Sequence, residues 1–268
     1  MSEVKLYQGD CLELMKQIPD KSVDMILCDL PYGTTVCKWD VVIPFDKLWE
    51  QYDRVIKDVG AICLFGTEPF SSQLRMSNMK CYKYDWIWKK TKAGNFIQAK
   101  NMPLRLHENI SVFSKGVVIH KGQSKRRMNY YPQGVVGVNK EWERPQVYDT
   151  ELSFVRPSHK TQRIITQENF PNDILEFSSV PHSSFHPTQK PVPLLEYLIK
   201  TYTNEGETVL DNCMGSGSTG VAAKNLNRDF IGIELDEHYF KIAKQRIEGI
   251  VPIAPMDSDK GSKSIKLF

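Results

Sequence analysis

The apolar run Val23-Asp24-Met25-Ile26-Leu27 passes into Cys28-Asp29-Leu30-Pro31-Tyr32-Gly33-Thr34-Thr35. Pro and Gly stop strands and Asp favours turns, so this octet can be a strand-ending turn and nothing more. It also puts a carboxylate, a rigid proline and an aromatic ring where a strand leaves the core. A second stretch carries chemistry of its own. Gly215-Ser216-Gly217-Ser218-Thr219-Gly220 falls between a strand ending at Asp211 and a helical segment. Glycines at that spacing allow a tight turn and let a ligand approach the backbone. The next strand, Phe230–Glu234, ends in an acid that can bind two ribose hydroxyls. Loop and acid together point to a cofactor with an adenosine ribose, either a nicotinamide dinucleotide or S-adenosylmethionine.

The elements that must position these groups alternate along the chain. Val4–Gln8 reads as a strand and Asp10–Ile18 as a helix, followed by strand Val23–Cys28. Phe45–Lys57 is expected to be helical, because Phe45, Leu48, Trp49, Tyr52, Val55 and Ile56 recur at helical spacing. Ala61–Phe65 is a strand and Pro69–Met79 a helix with Pro in its first turn. Tyr84–Trp88 and Ile110–Ser114 read as antiparallel strands. After Pro187 come helix Val192–Tyr202, strand Glu207–Leu210, a helix from the glycine loop to about Leu226, and strand Phe230–Glu234. Helix Asp236–Glu248 closes the series with Asp236 as its cap. Strands alternating with helices imply a largely parallel sheet covered on both faces. Only one further strand and helix follow the glycine loop, yet a mononucleotide-binding half needs a third strand. Val4–Gln8 can supply it, and Asp10 then stands where an adenine edge is expected. Val23–Cys28 falls beside the glycine-loop strand across the switch point, so the octet faces the reactive end of the cofactor.

Composition narrows the class. The 268 residues, enough for one large domain or one domain with an inserted lobe, are 41% hydrophobic and 25% charged with a net charge of +3, ordinary for a soluble globular protein. The chain has no apolar run of membrane-spanning length and no signal-peptide core at Met1-Ser2-Glu3-Val4-Lys5. The six cysteines include no Cys-x-x-Cys, which favours free thiols in a reducing cytosol over zinc or disulfides. His182 and His186 are four apart but flanked by Pro181 and Pro187, which argues against a helical metal pair. Residues 115–175 break the rhythm. Ten lysines and arginines there, Lys125, Arg126, Arg127 and Arg144 among them, outnumber the acids, and Tyr130, Tyr131, Trp142, Tyr148 and Phe154 are interleaved. This is either a solvated loop region or a surface that meets a polyanion.

In this order the motifs resemble the β-class DNA amino-methyltransferases. That family's Asp-Pro-Pro-Tyr motif is similar to Asp29-Leu30-Pro31-Tyr32, and its His-Pro-Thr-x-Lys-Pro element to His186-Pro187-Thr188-Gln189-Lys190-Pro191. Its cofactor loop resembles Asp211-Asn212-Cys213-Met214-Gly215-Ser216-Gly217-Ser218-Thr219, and Phe230–Glu234 is likewise typical. Two departures stand out: Leu30 replaces the first proline and still supplies a main-chain carbonyl, and Cys213 stands where phenylalanine is usual. The resemblance spans residues 4 to 248 or so.

It implies a doubly wound, mostly parallel, seven-stranded Rossmann-like α/β sheet in circularly permuted order. Residues 1–114 and 176–250 would form the catalytic domain, 115–175 an inserted target-recognition region and 251–268 a frayed tail. It implies methyl transfer from S-adenosylmethionine, leaving S-adenosylhomocysteine, to adenine N6 in DNA. Asp29, Leu30, Pro31 and Tyr32 would be catalytic. Asp29 and the Leu30 carbonyl would accept the amine's N–H groups, and Tyr32 would stack on a base flipped out of the duplex. Asp10, Cys28, Asp29, His186, Thr188, Lys190, Asp211, Met214, Gly215, Ser216, Gly217, Ser218, Thr219, Glu234 and Leu235 would line the cofactor. Lys38, Trp39, Lys125, Arg126, Arg127 and Arg144 would meet DNA. The chemistry requires no metal and no covalent enzyme intermediate. DNA is the expected partner, with a second copy of the chain as a further candidate, and the bacterial or phage-infected cytoplasm the expected location. Cytosine N4 is the near alternative, though serine is commoner than an acid at position 29 in those enzymes. A nicotinamide oxidoreductase or a silent DNA-binding subunit leaves more of these residues unexplained.

Overall fold

A computed structural model describes residues 2–33, 40–118, 125–143, 162–180 and 189–250. In chain order the first half gives β1 (Val4–Gln8), α1 (Cys11–Met15), β2 (Val23–Cys28), α2 (Phe45–Val55), β3 (Ile56–Gly66), α3 (Phe70–Ser77), β4 (Tyr82–Gly94) and β5 (Arg105–Phe113). The second gives β6 (Val136–Glu143), β7 (Gln162–Glu168), β8 (Ile174–Phe177), α4 (Val192–Tyr202), β9 (Thr208–Asp211), α5 (Ser218–Asn225), β10 (Asp229–Glu234) and α6 (Glu237–Glu248).

The main sheet runs β1-β10-β9-β2-β3-β5-β4-β8. β1, β10, β9, β2 and β3 are mutually parallel, and β5 is antiparallel to both β3 and β4, as expected. The N-terminal strand does supply the missing member of the glycine-loop half, with Val4 opposite Phe230 and Gln8 opposite Glu234. The seven expected strands gain an eighth, β8, parallel to β4 at the sheet edge.

All six residues of β2 are buried. Met25 and Leu27 join the cluster under α4, α5 and α6, while Ile26 and Cys28 join the one under α1, α2 and α3. Alternation on a strand packed on both faces produces this split. Strand order reverses between β9 and β2, so the crevice at their carboxyl ends is the sheet's switch point.

Helix α4 matches its expected span. α1 is shorter than expected because the chain tightens after Met15, where the Gln17 and Ile18 N–H groups donate to the carbonyls three residues back, just ahead of Pro19. The described residues divide into two compact units, one of which is Pro132–Asn172. It holds the antiparallel pair β6–β7, with a Lys140–Glu168 ion pair at 2.5 Å. The unit is narrower than the expected 115–175 insertion. Met128 is a core residue of the larger unit, the Tyr131 N–H donates to the Thr201 carbonyl, and β8 belongs to the main sheet. Among the described residues no helix is long and apolar enough to cross a membrane.

Candidate active site

The octet leaves β2 at the switch point. Tyr32 Oη donates to Asp29 Oδ1 at 2.5 Å, and the tyrosine ring packs on Phe70 at 4.9 Å between centroids. Gly33 has φ +67°, and a Cβ there would meet Val42 at 2.8 Å; its N–H donates to the buried Asp40. The turn therefore depends on glycine. Leu30 is buried among residues of the α1–α3 side, which leaves its main chain for the role expected of it.

The other carboxylate oxygen, Asp29 Oδ2, accepts from Lys190 Nζ at 2.5 Å. Lys190, 8% exposed, lies over the Phe65 ring at 5.1 Å and within 3.4 Å of Glu108 Oε2. Glu108 Oε1 in turn accepts from Lys90. Two acids and two ammonium groups thus form one chain, Asp29–Lys190–Glu108–Lys90. Burial pushes the Asp29 carboxyl above the usual range, although Lys190 pulls the other way. Burial works against the Lys190 ammonium, but Asp29 and Glu108 outweigh it and hold the amine above its ordinary value. The same contest leaves Glu108 lowered, since Lys190 and Lys90 overcome its burial. Burial beside Asp29 lifts the Tyr32 phenol well above its normal range, so it acts as a donor.

Across the switch point, Asp211 ends β9. Burial pushes its carboxyl up to about 7, against hydrogen bonds from the Thr219 hydroxyl and the Cys213 N–H. Glu234 ends β10 with both oxygens anchored: Oε2 accepts from the Gly215 N–H and Oε1 from the Asp236 N–H, each at 2.8 Å. Gly217 caps α5 at φ +79°, where a Cβ would come within 2.9 Å of Ala243. Met214 is buried against Gly232. Asp10 caps α1, its Oδ1 accepting from Leu12 and Glu13 N–H groups. The Leu235 carbonyl accepts from the Gln8 side chain. Cys28, Cys11 and Cys213 form a group of neighbouring free thiols beside Asn212, whose Oδ1 accepts from Tyr52.

Two expected roles change character. The Ser216 and Ser218 hydroxyls are held by Arg246 of α6, which also donates to the Ser216 carbonyl at 2.5 Å. Lys190 sits on Asp29 and Glu108, between the octet and β5.

The structure thus brings Asp29, Leu30, Pro31, Tyr32 and Lys190 together on one side of the crevice and the glycine loop, Asp211 and Glu234 on the other. Lys125, Arg126 and Arg127 are exposed and belong to the larger unit, not to the 132–172 unit. Lys38, Trp39, Arg144, His186 and Thr188 lie outside the described residues. Among the described residues no group of three or more His, Cys, Asp or Glu is placed to hold a metal ion.

Sequence reasoning missed Glu108, Lys90, Arg246 and the protruding half of the β4–β5 hairpin, beyond the two antiparallel strands it expected. From Lys89 to His107 the chain carries five lysines and arginines and no acid, a signal that was there to be read. At its tip Phe96 is 68% and Ile97 94% exposed, and Lys92, Lys100 and Arg105 are exposed too.

A doubly wound sheet with a glycine loop, an acid after the following strand and a second acidic turn across the switch point defines an α/β protein built around a nucleoside-bearing cofactor. The chain belongs to the DNA methylase family of N6 and N4 amino-methyltransferases, whose model matches residues 23–245. It is 27% identical over 263 residues to the type II methyltransferase M.HpaI of Haemophilus parainfluenzae, covering 91% of this chain and 74% of that protein. With M2.MboI of Moraxella bovis it shares 26% over 278 residues, covering 92% and 89%. Among solved structures, the cytosine-N4-specific PvuII DNA methyltransferase superposes with a TM-score of 0.64 at 15% identity, covering 93% of this chain and 92% of that one. The M1.HpyAVI–SAM complex gives 0.60 at 23%, covering 91% and 98%. These likenesses place the fold.

Proposed function

We propose that this chain transfers a methyl group from S-adenosylmethionine to adenine N6 in DNA, after the base leaves the stack. The observation that carries the reading is Asp29, a partly buried carboxylate held by Tyr32 at the switch point, facing the half that carries the glycine loop, Asp211 and Glu234. The residues present fit the cofactor. Glu234 is an anchored acceptor for a ribose diol, the buried Asp211 and partly buried Asp29 are acids suited to a ligand bearing ammonium and sulfonium charges, and the Gly217 cradle excludes any Cβ. When bound, that cofactor supplies an electrophilic methyl group.

The protein's share is position and charge. Exocyclic amines are poor nucleophiles because the lone pair is delocalised into the ring. Asp29 and the Leu30 carbonyl each accept one N–H, turn the lone pair toward the methyl group and offset the positive charge that grows on nitrogen. Fixing two reactants this way is worth effective molarities of ~10⁵–10⁸ M. The exposed basic β4–β5 hairpin, at the same end of the sheet as the octet, is the duplex-facing surface; exposed Lys125, Arg126 and Arg127 lie toward the other end, beside Asn129, whose N–H donates to the Val59 carbonyl near the start of β3. The hairpin's apolar tip is suited to the space a flipped base vacates.

Cytosine N4 poses the same chemical problem and is the second reading, favoured by the N4-specific structural neighbour. Methyl-labelled S-adenosylmethionine and duplex DNA, followed by nucleoside digestion and mass spectrometry, decide the matter. N6-methyladenine is the expected product. N4-methylcytosine would move the reading to the alternative, and unlabelled DNA would remove it.

A further inference from the structure

Asp29 is already engaged on both oxygens. Oδ1 takes the Tyr32 hydroxyl, and Oδ2 takes the Lys190 ammonium at 2.5 Å. An ammonium there is in the wrong place for the reaction proposed above. The substrate amine becomes cationic as the methyl bond forms, and a fixed positive charge on the acceptor opposes that development. Glu108 offers the ammonium a second place. Its Oε2 is buried, receives no hydrogen bond and lies 3.4 Å from Lys190 Nζ, while Oε1 is held by Lys90. A buried carboxylate oxygen that has its ammonium partner only at 3.4 Å, short of a formed hydrogen bond, gains when that partner closes on it. Phe65 lies under the ammonium, so a short swing between the two acids keeps the lysine over the same ring.

We propose that Lys190 is a positioning residue that holds Asp29 in the free enzyme and passes to Glu108 Oε2 when the target amine arrives, clearing the acceptor for the reacting nitrogen. The inference rests on the methyl-transfer reading. No proton changes hands in the exchange: Lys190 stays an ammonium, and the acids stay carboxylates. Lys90 anchors Glu108 throughout, so Glu108 remains in place to receive Lys190.

The titratable groups facing Asp29 are Lys190, Glu108, Asp211 and the neutral Tyr32 and Cys28, and the charges of Lys190 and Glu108 act on it in opposite senses. That makes the test directional. Wild-type enzyme is first assayed for label transfer to DNA; failure there sinks the methyl-transfer reading itself. With transfer established, kcat is measured against pH for Glu108→Gln and Lys190→Met. Glu108→Gln leaves Lys190 on Asp29, so kcat falls by on the order of 10²-fold, the scale of one misplaced group. Its acid limb moves to lower pH, because a negative neighbour of Asp29 is gone. In Lys190→Met the acid limb moves to higher pH, because Asp29 loses its cation. Cofactor affinity stays within about twofold in Glu108→Gln. A Glu108→Gln enzyme with wild-type kcat, or a slow one whose acid limb does not move, overturns the handover while leaving methyl transfer standing. If either variant fails to fold, a wild-type crystal structure with S-adenosylhomocysteine and a methylatable duplex decides: Lys190 on Glu108 supports the exchange, and Lys190 still on Asp29 refutes it.

Discussion

Asp29→Asn keeps an oxygen for the Tyr32 hydroxyl and can serve a turn as well as aspartate does, so a purely structural octet tolerates it. As an acceptor for a charging amine it is a severe loss. Single-turnover rates are expected to drop ~10²–10³-fold, far more than calorimetric affinities for cofactor and DNA change; a rate near wild type would return the octet to a strand-ending turn. Glu234→Ala removes an acceptor and strands the Gly215 and Asp236 N–H groups that hold it. Titration calorimetry is expected to show weaker S-adenosylmethionine binding, by about 1.5–3 kcal/mol for each charge-assisted bond removed. Asp29 and Glu234 were legible because each closes an apolar run, a position that one strand alone can define. Glu108 and Lys90 were not, because their meaning depends on the register across β4 and β5 and on a lysine far along the chain. Arg246 was not legible for a similar reason: the Ser216 and Ser218 hydroxyls it meets belong to another element.

Elements with a full apolar period were the easiest to read. Helix α4, with Leu194, Leu195, Leu198, Ile199 and Tyr202 all buried, matches its expected bounds. β8 escaped notice because four residues in a polar stretch carry little pattern, and only pairing with β4 makes them a strand. The inner half of the β4–β5 hairpin was read as two antiparallel strands, but its exposed half escaped because it shows no core periodicity, although its charge was plain. Replacing Lys92, Lys100 and Arg105 together by Gln is expected to flatten the dependence of log K on log salt, by about 0.9 for each phosphate no longer neutralised. Lys125, Arg126 and Arg127 replaced by Gln provide the parallel measurement. An element whose triple variant leaves the slope unchanged does not touch the duplex backbone.

At the scale of the molecule, the centre of the sheet carries a titrating acid. Asp211 is buried, and its carboxyl is lifted to about 7 by burial. A group raised in the folded state adds stability that is complete below its unfolded value, near ~3.9, and that fades as pH rises through the folded one. Between about pH 4 and 7, melting curves of Asp211→Asn are therefore expected to gain on wild type as pH increases, and then to run level above about pH 8. A constant gap across that window would mean that Asp211 is ionised in the folded protein. The order of the strands was legible here because too few elements follow the glycine loop to complete its half. That same order has a cost in time. β1 finds its partner, β10, only after more than two hundred intervening residues, Val4 pairing with Phe230. At translation speeds of ~5–20 residues per second, the nascent chain carries β1 unpaired for roughly 10–45 s. During that wait the cofactor half does not exist, while β2 and β3 can already close on each other. The octet's side of the crevice is thus born first on the ribosome, and the glycine-loop side is completed only when β10 emerges to meet β1.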